Sequence, residues 1–108
     1  MVETVQVSDE NFQSEVLDVS LPVLVDFSAV WCGPCKMLEP IISELSKDWE
    51  AKVKVVKLDV DLSPETAMRY QVMGVPTLIL FVKGKVVERI TGYQPKDRIE
   101  QKFNPHIS

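Results

Sequence analysis

The segment Val23-Leu24-Val25-Asp26-Phe27 constrains this chain more than any other. Apart from Asp26 it is continuously apolar, the pattern of a parallel strand covered on both faces by other elements. Soon afterwards the periodicity changes, and Leu38, Ile41, Ile42, Leu45 and Trp49 recur at offsets of 0, 3, 4, 7 and 11, the stripe of a helix. A doubly covered strand leading into an amphipathic helix requires a layered α/β domain. One charge in the middle of such a strand is an exception that needs a reason.

The flanking sequence extends the alternation. Thr4 to Val7 predicts a first strand, followed by a helix capped by Ser8 with Phe12, Val16 and Leu17 on one face. Pro34 falls at the first turn of the long helix, and Pro40, inside it, should bend it. Val53 to Leu58 reads as a third strand. Ser63-Pro64-Glu65 supplies a cap, a first-turn proline and a favourable acid for a short helix reaching about Tyr70. Thr77 to Val82 and Val86 to Ile90 flank the tight-turn signal Lys83-Gly84-Lys85, which predicts an antiparallel hairpin. Pro95 opens a last helix carrying Ile99 and Phe103, which Asn104-Pro105 ends, leaving a loose tail in which His106 has no role. The order β-α-β-α-β-α-β-β-α, with parallel connections through the helices and a terminal hairpin, predicts a mixed sheet with helices on both faces. At 108 residues the whole of 1–108 reads as one domain.

Charge narrows the partners. Twelve Lys and Arg against sixteen Asp and Glu leave a net charge of −4, which disfavours nucleic acid and anionic membrane surfaces. Apolar stretches such as Leu78 to Val82 are far shorter than the roughly 20 residues of a membrane helix. Glu3, Asp9 and Glu10 stand where a signal peptide would be basic and then apolar, so the chain reads as cytoplasmic.

The two cysteines lie together in Trp31-Cys32-Gly33-Pro34-Cys35, directly after the doubly covered strand. A bridge closing so short a loop stabilises by only roughly 1.9 kcal/mol in the chain-entropy model, against about 3 for a fifteen-residue loop. Such a ring serves better as a centre that opens and closes. Zinc needs about four ligands, and beyond this pair only His106 and scattered carboxylates are present, so no metal is expected within one chain. Counting alone leaves open a cluster shared between two copies.

These residues resemble the thioredoxin family over essentially the whole chain: Val25-Asp26-Phe27, Trp31-Cys-Gly-Pro-Cys-Lys36, Pro40, Lys57, Gly74-Val75-Pro76-Thr77, Gly84 and Gly92. The resemblance implies the thioredoxin fold, a central mixed five-stranded sheet of order 1-3-2-4-5 flanked by four helices. It also implies a protein-disulfide reductase and electron carrier that works as a monomer. Family members draw electrons from an NADPH-dependent flavoprotein, thioredoxin reductase, and the absence of a Gly-rich nucleotide loop here agrees with a borrowed source and no cofactor of its own.

At the head of the helix near Pro34, free N–H groups and the positive dipole end favour a thiolate on Cys32, the expected exposed nucleophile, with Cys35 as the buried resolving thiol. Related oxidants commonly carry a His between the cysteines. Gly33-Pro34 brings no charge, so this pair is expected to donate electrons. Desolvation should raise the pKa of Asp26 and suit it to accept a proton near neutrality, and in the resembling family this position helps deprotonate the resolving cysteine. Lys57 alternates with Val56 and Leu58 and either faces solvent or, as in the family, modulates Asp26. Base rates make Pro76 an ordinary trans proline, whereas the resemblance implies a cis peptide beside the cysteines. Trp31 and Val60 read as core on residue type alone. The resemblance instead maps Trp31, Gly33, Pro34, Val60, Gly74, Val75, Gly92 and Tyr93 onto a flat docking surface. Two departures stand out: Ser28, where many bacterial members carry tryptophan, and Tyr93, larger than the usual residue. The same motif also admits a binding module with incidental cysteines, or an oxidase or isomerase.

Overall fold

The computed structural model describes residues 4–107, so Glu3 and Ser108 lie outside it. Five strands, β1 (Val5–Val7), β2 (Val23–Ser28), β3 (Lys54–Asp59), β4 (Thr77–Val82) and β5 (Lys85–Thr91), form one sheet in the order β1-β3-β2-β4-β5. The helical elements are a π-helical segment over Gln13–Leu17, then α1 (Gly33–Asp48), α2 (Pro64–Arg69) and α3 (Lys96–Phe103), with a closing 3-10 turn at Asn104–His106. This is the expected mixed sheet and strand order. Among the described residues, no helix is long and apolar enough to cross a membrane.

The two connections on either side of β3 return the chain to different ends of the sheet. The 16 residues of α1 span about 24 Å, enough to carry the chain back along the roughly 20 Å of β2, and β3 accordingly runs parallel to β2. With six residues, α2 spans only about 9 Å. The chain does not return to the far end of the sheet here: β4 starts where β3 finishes and pairs antiparallel with β2, Thr77 opposite Phe27. The expected parallel connection through this helix is therefore corrected.

All six residues of β2 are buried, and its two faces feed two cores. Val23, Val25 and Phe27 join Phe12, Val16, Val56, Leu58, Ile79 and Phe81 on one face. Leu24 lies on the other with Leu38, Ile42 and Leu45 from α1, Trp49 just past its end, and Ile99 and Phe103 from α3. Strand alternation puts Asp26 and Ser28 on the Leu24 face, under α1.

Several local readings change. Ser8 does not cap a helix; its backbone N–H and hydroxyl both donate to Asn11 Oδ1. Nor does the Ser63 hydroxyl cap α2. It accepts from the Asp9 N–H, and the Asp9 carboxylate, more than fifty residues away in sequence, accepts from the N–H groups of Glu65 and Thr66. Although desolvation pushes the Asp9 carboxyl up, the Thr66 and Glu65 hydrogen bonds and the nearby Arg69 charge hold it below its usual range. Pro40 does lie inside α1, as expected, on its exposed side. The tail is not loose: Ile107 packs on the α1/α3 core, and His106 Nε2 lies 3.4 Å from Glu88 Oε2.

Candidate active site

Cys32 and Cys35 are joined by a disulfide, with their Cα atoms 5.3 Å apart. The site lies beyond the carboxyl end of β2, where the chain turns into α1. Cys32 is the N-cap residue, in extended conformation, and its Sγ accepts the Cys35 N–H at 3.1 Å. That N–H is one of the first-turn donors with no partner inside the helix, and it is the group that would stabilise negative charge on Cys32 after reduction. Pro34 occupies the first turn without loss, as its residue type predicts. The expected difference in exposure is absent, since each cysteine is 3% exposed in the disulfide form. What separates them is position at the helix mouth rather than contact with water.

Because β4 runs antiparallel to β2, its first residues return to the cysteine end. The Val75–Pro76 peptide is cis, as the resemblance implied, and the Val75 carbonyl oxygen lies 3.7 Å from Cys32 Sγ. The Gly92 N–H donates to the Pro76 carbonyl at 2.8 Å, tying the end of β5 to the same segment. Trp31 is not core; it is 68% exposed, and its indole N–H donates to Asp61 Oδ2 at 2.8 Å. Val60, also read as core on residue type, is half-buried against the cysteine pair. Trp31, Val60, Val72, Met73, Gly74 and Val75 line a shallow depression of about 120 Å³. Met73 and Asp61 were not singled out in the sequence, where neither carries a local signal. A Cβ at Gly33 or Gly74 would meet nothing within 4 Å, so these glycines keep the rim low without filling a steric need. Tyr93 is partly exposed, at 38%.

Asp26 is 2% exposed, and its Oδ1 has no hydrogen-bond partner among the described residues. Burial raises its pKa from 3.8 to about 7, opposed by the positive charge of Lys57 and assisted by the negative charge of Glu39. Lys57 stands opposite Asp26 in the β2/β3 register, so it neighbours the acid. Its ammonium, however, pairs with Glu39 on α1 at 2.8 Å. Glu39 was not among the expected site residues. Its place four residues after Cys35, one helical turn on, was the available signal.

A disulfide at the head of a helix, a cis Val75–Pro76 peptide whose Val75 carbonyl faces Cys32 Sγ, and a buried acid beneath the helix define a dithiol–disulfide oxidoreductase. The family model described as Thioredoxin matches residues 3–105. A thioredoxin of Synechocystis sp. is 46% identical over 107 residues, covering 99% of this chain and 100% of the relative. One of Staphylococcus aureus is 47% identical over 103 residues, covering 95% and 97%. The chain belongs to the thioredoxin family, and its Cys32–Cys35 pair is the redox-active centre of a protein-disulfide reductase.

Proposed function

We propose that the two sulfurs and Asp26 divide the reaction as follows. The Cys32 thiolate attacks one sulfur of a substrate disulfide, forming a mixed disulfide and releasing the first substrate thiolate, which takes a proton from water. The Cys35 thiol passes its proton to the Asp26 carboxylate, and the Cys35 thiolate attacks Cys32 Sγ. The second substrate thiolate leaves and is protonated. The substrate has gained two electrons, and Cys32 and Cys35 have become the disulfide described above. The observation that carries this assignment is the 3.1 Å hydrogen bond from the Cys35 N–H to Cys32 Sγ, which favours charge on the Cys32 sulfur.

The rim of Trp31, Gly33, Pro34, Val60, Gly74, Val75, Pro76, Gly92 and Tyr93 receives the substrate. The absence of charged side chains in this set suits unfolded segments of varied sequence, and an extended segment can pair with the Val75 backbone. In this reading 1–108 is one working domain, monomeric and cytoplasmic, with no cofactor of its own. A separate NADPH-dependent flavoprotein, thioredoxin reductase, restores the dithiol.

Dithiothreitol-driven insulin reduction tests the assignment. Cys32→Ser should abolish turnover. Cys35→Ser should accumulate mixed disulfides, visible as mass adducts on Cys32. Insulin reduction by Cys32→Ser at the parent rate would defeat the reductase mechanism and leave the chain a binding module.

A further inference from the structure

Glu39 has no part in the assignments above, yet its surroundings give it one. Asp26 lies under α1 with apolar Leu78 opposite it on β4 and Lys57 opposite it on β3. Among the described residues no ion pair joins Lys57 to Asp26. Here Asp26 Oδ1 is bare, while the Lys57 ammonium sits 2.8 Å from Glu39 Oε1. The pair lies at a cleft of about 330 Å³, also lined by Ser28, Lys36 and Asp59. Two carboxylates, one buried on the neighbouring strand and one exposed on α1, thus have access to one lysine, and the exposed one holds it.

We propose that Glu39 is a positioning residue for the redox reaction: it anchors the Lys57 ammonium in the cleft, withholding it from Asp26 so that the buried carboxyl can hold and release the proton exchanged with Cys35. Part of this is ordinary Coulomb repulsion between Glu39 and Asp26. The part specific to the proposal runs through Lys57, whose charge stabilises ionised Asp26 only as far as it can approach it. Lys36 and Asp59, the other charged groups at the cleft, carry opposite signs. The inference rests on Asp26 being the proton acceptor for Cys35, and the test separates the two ideas.

The Asp26 carboxyl is titrated by carbon-13 NMR in the reduced full chain, in parallel with the pH dependence of thiol release from a preformed mixed disulfide. Glu39→Gln should lower the Asp26 midpoint by roughly half to one pH unit, the scale for a unit charge acting across a partly solvated site. In a Lys57→Met background the same substitution should shift it by less than half as much. Glu39→Asp should keep the midpoint near that of the parent. An unchanged midpoint in Glu39→Gln overturns the proposal, and an equal shift with and without Lys57 overturns the anchoring. If the midpoint falls as expected but the acidic limb of thiol release stays in place, Glu39 still governs Asp26. It is then the role of Asp26 as proton acceptor that fails.

Discussion

Asp26 is held in an environment that opposes its charge. A carboxyl that ionises at 3.8 when unfolded and at about 7 when folded binds its proton more tightly in the native state. Folding stability therefore falls as pH rises from about 4 to about 7 and is level above that. The cost at pH 8 is at most about 4 kcal/mol from the two pKa values. Asp26→Asn, which keeps the shape and removes the charge, should be more stable than the parent by a few kcal/mol at pH 8 and little different at pH 4, as read from urea midpoints. The same variant should slow thiol release. Equal stability of parent and variant at pH 8 would show that the native acid is solvated. This exception was visible in the sequence as one charge in an apolar run. Its partner arrangement was not, because the competition between Asp26 and Glu39 for Lys57 requires α1 to lie over the β2/β3 pair.

At the scale of elements, chain ends and turns carry testable energies. The two-residue hairpin loop Lys83-Gly84 has φ values of 51° and 81°, the left-handed pairing that matches strand twist. A Cβ on Gly84 would also stand 3.0 Å from the Leu17 carbonyl oxygen, so Gly84→Ala should lower stability by roughly 1–2 kcal/mol in thermal unfolding. At the end of α2, the Gln71 N–H donates to Met68 O and the Val72 N–H to Ala67 O, with Gln71 at φ 55°. This termination favours glycine, so Gln71→Gly should raise stability by roughly 0.5–1 kcal/mol. Asp9→Ala removes the acceptor for two α2 N–H groups and should cost about 1 kcal/mol. Ser63-Pro64-Glu65 correctly marked where α2 begins, but the capping carboxylate comes from Asp9, more than fifty residues away in sequence, which a local motif cannot reveal.

Across the whole molecule, two cores pack on opposite faces of one sheet, so the redox ring adds little to their stability. Reduction of Cys32–Cys35 should lower unfolding free energy by no more than roughly 2 kcal/mol, measured by urea unfolding with and without reductant, because the ring closes a loop of only four residues. A much larger loss would make the bridge a structural staple. The sequence by itself determined the doubly buried β2, the helical stripe of α1, the hairpin and the placement of both cysteines at a strand-to-helix junction, since each follows from periodicity or local turn chemistry. Tertiary structure decided the direction of β4. After α2 the chain stays at the cysteine end of the sheet, and β4 enters there by pairing antiparallel with β2, a long-range choice that local periodicity does not encode. Had that connection been parallel, Pro76 would lie a strand length, roughly 20 Å, from Cys32. Instead the Val75 carbonyl stands 3.7 Å from its sulfur. The redox pair is written locally, whereas the surface that presents it depends on the antiparallel pairing of β4 with β2, a contact between segments some fifty residues apart.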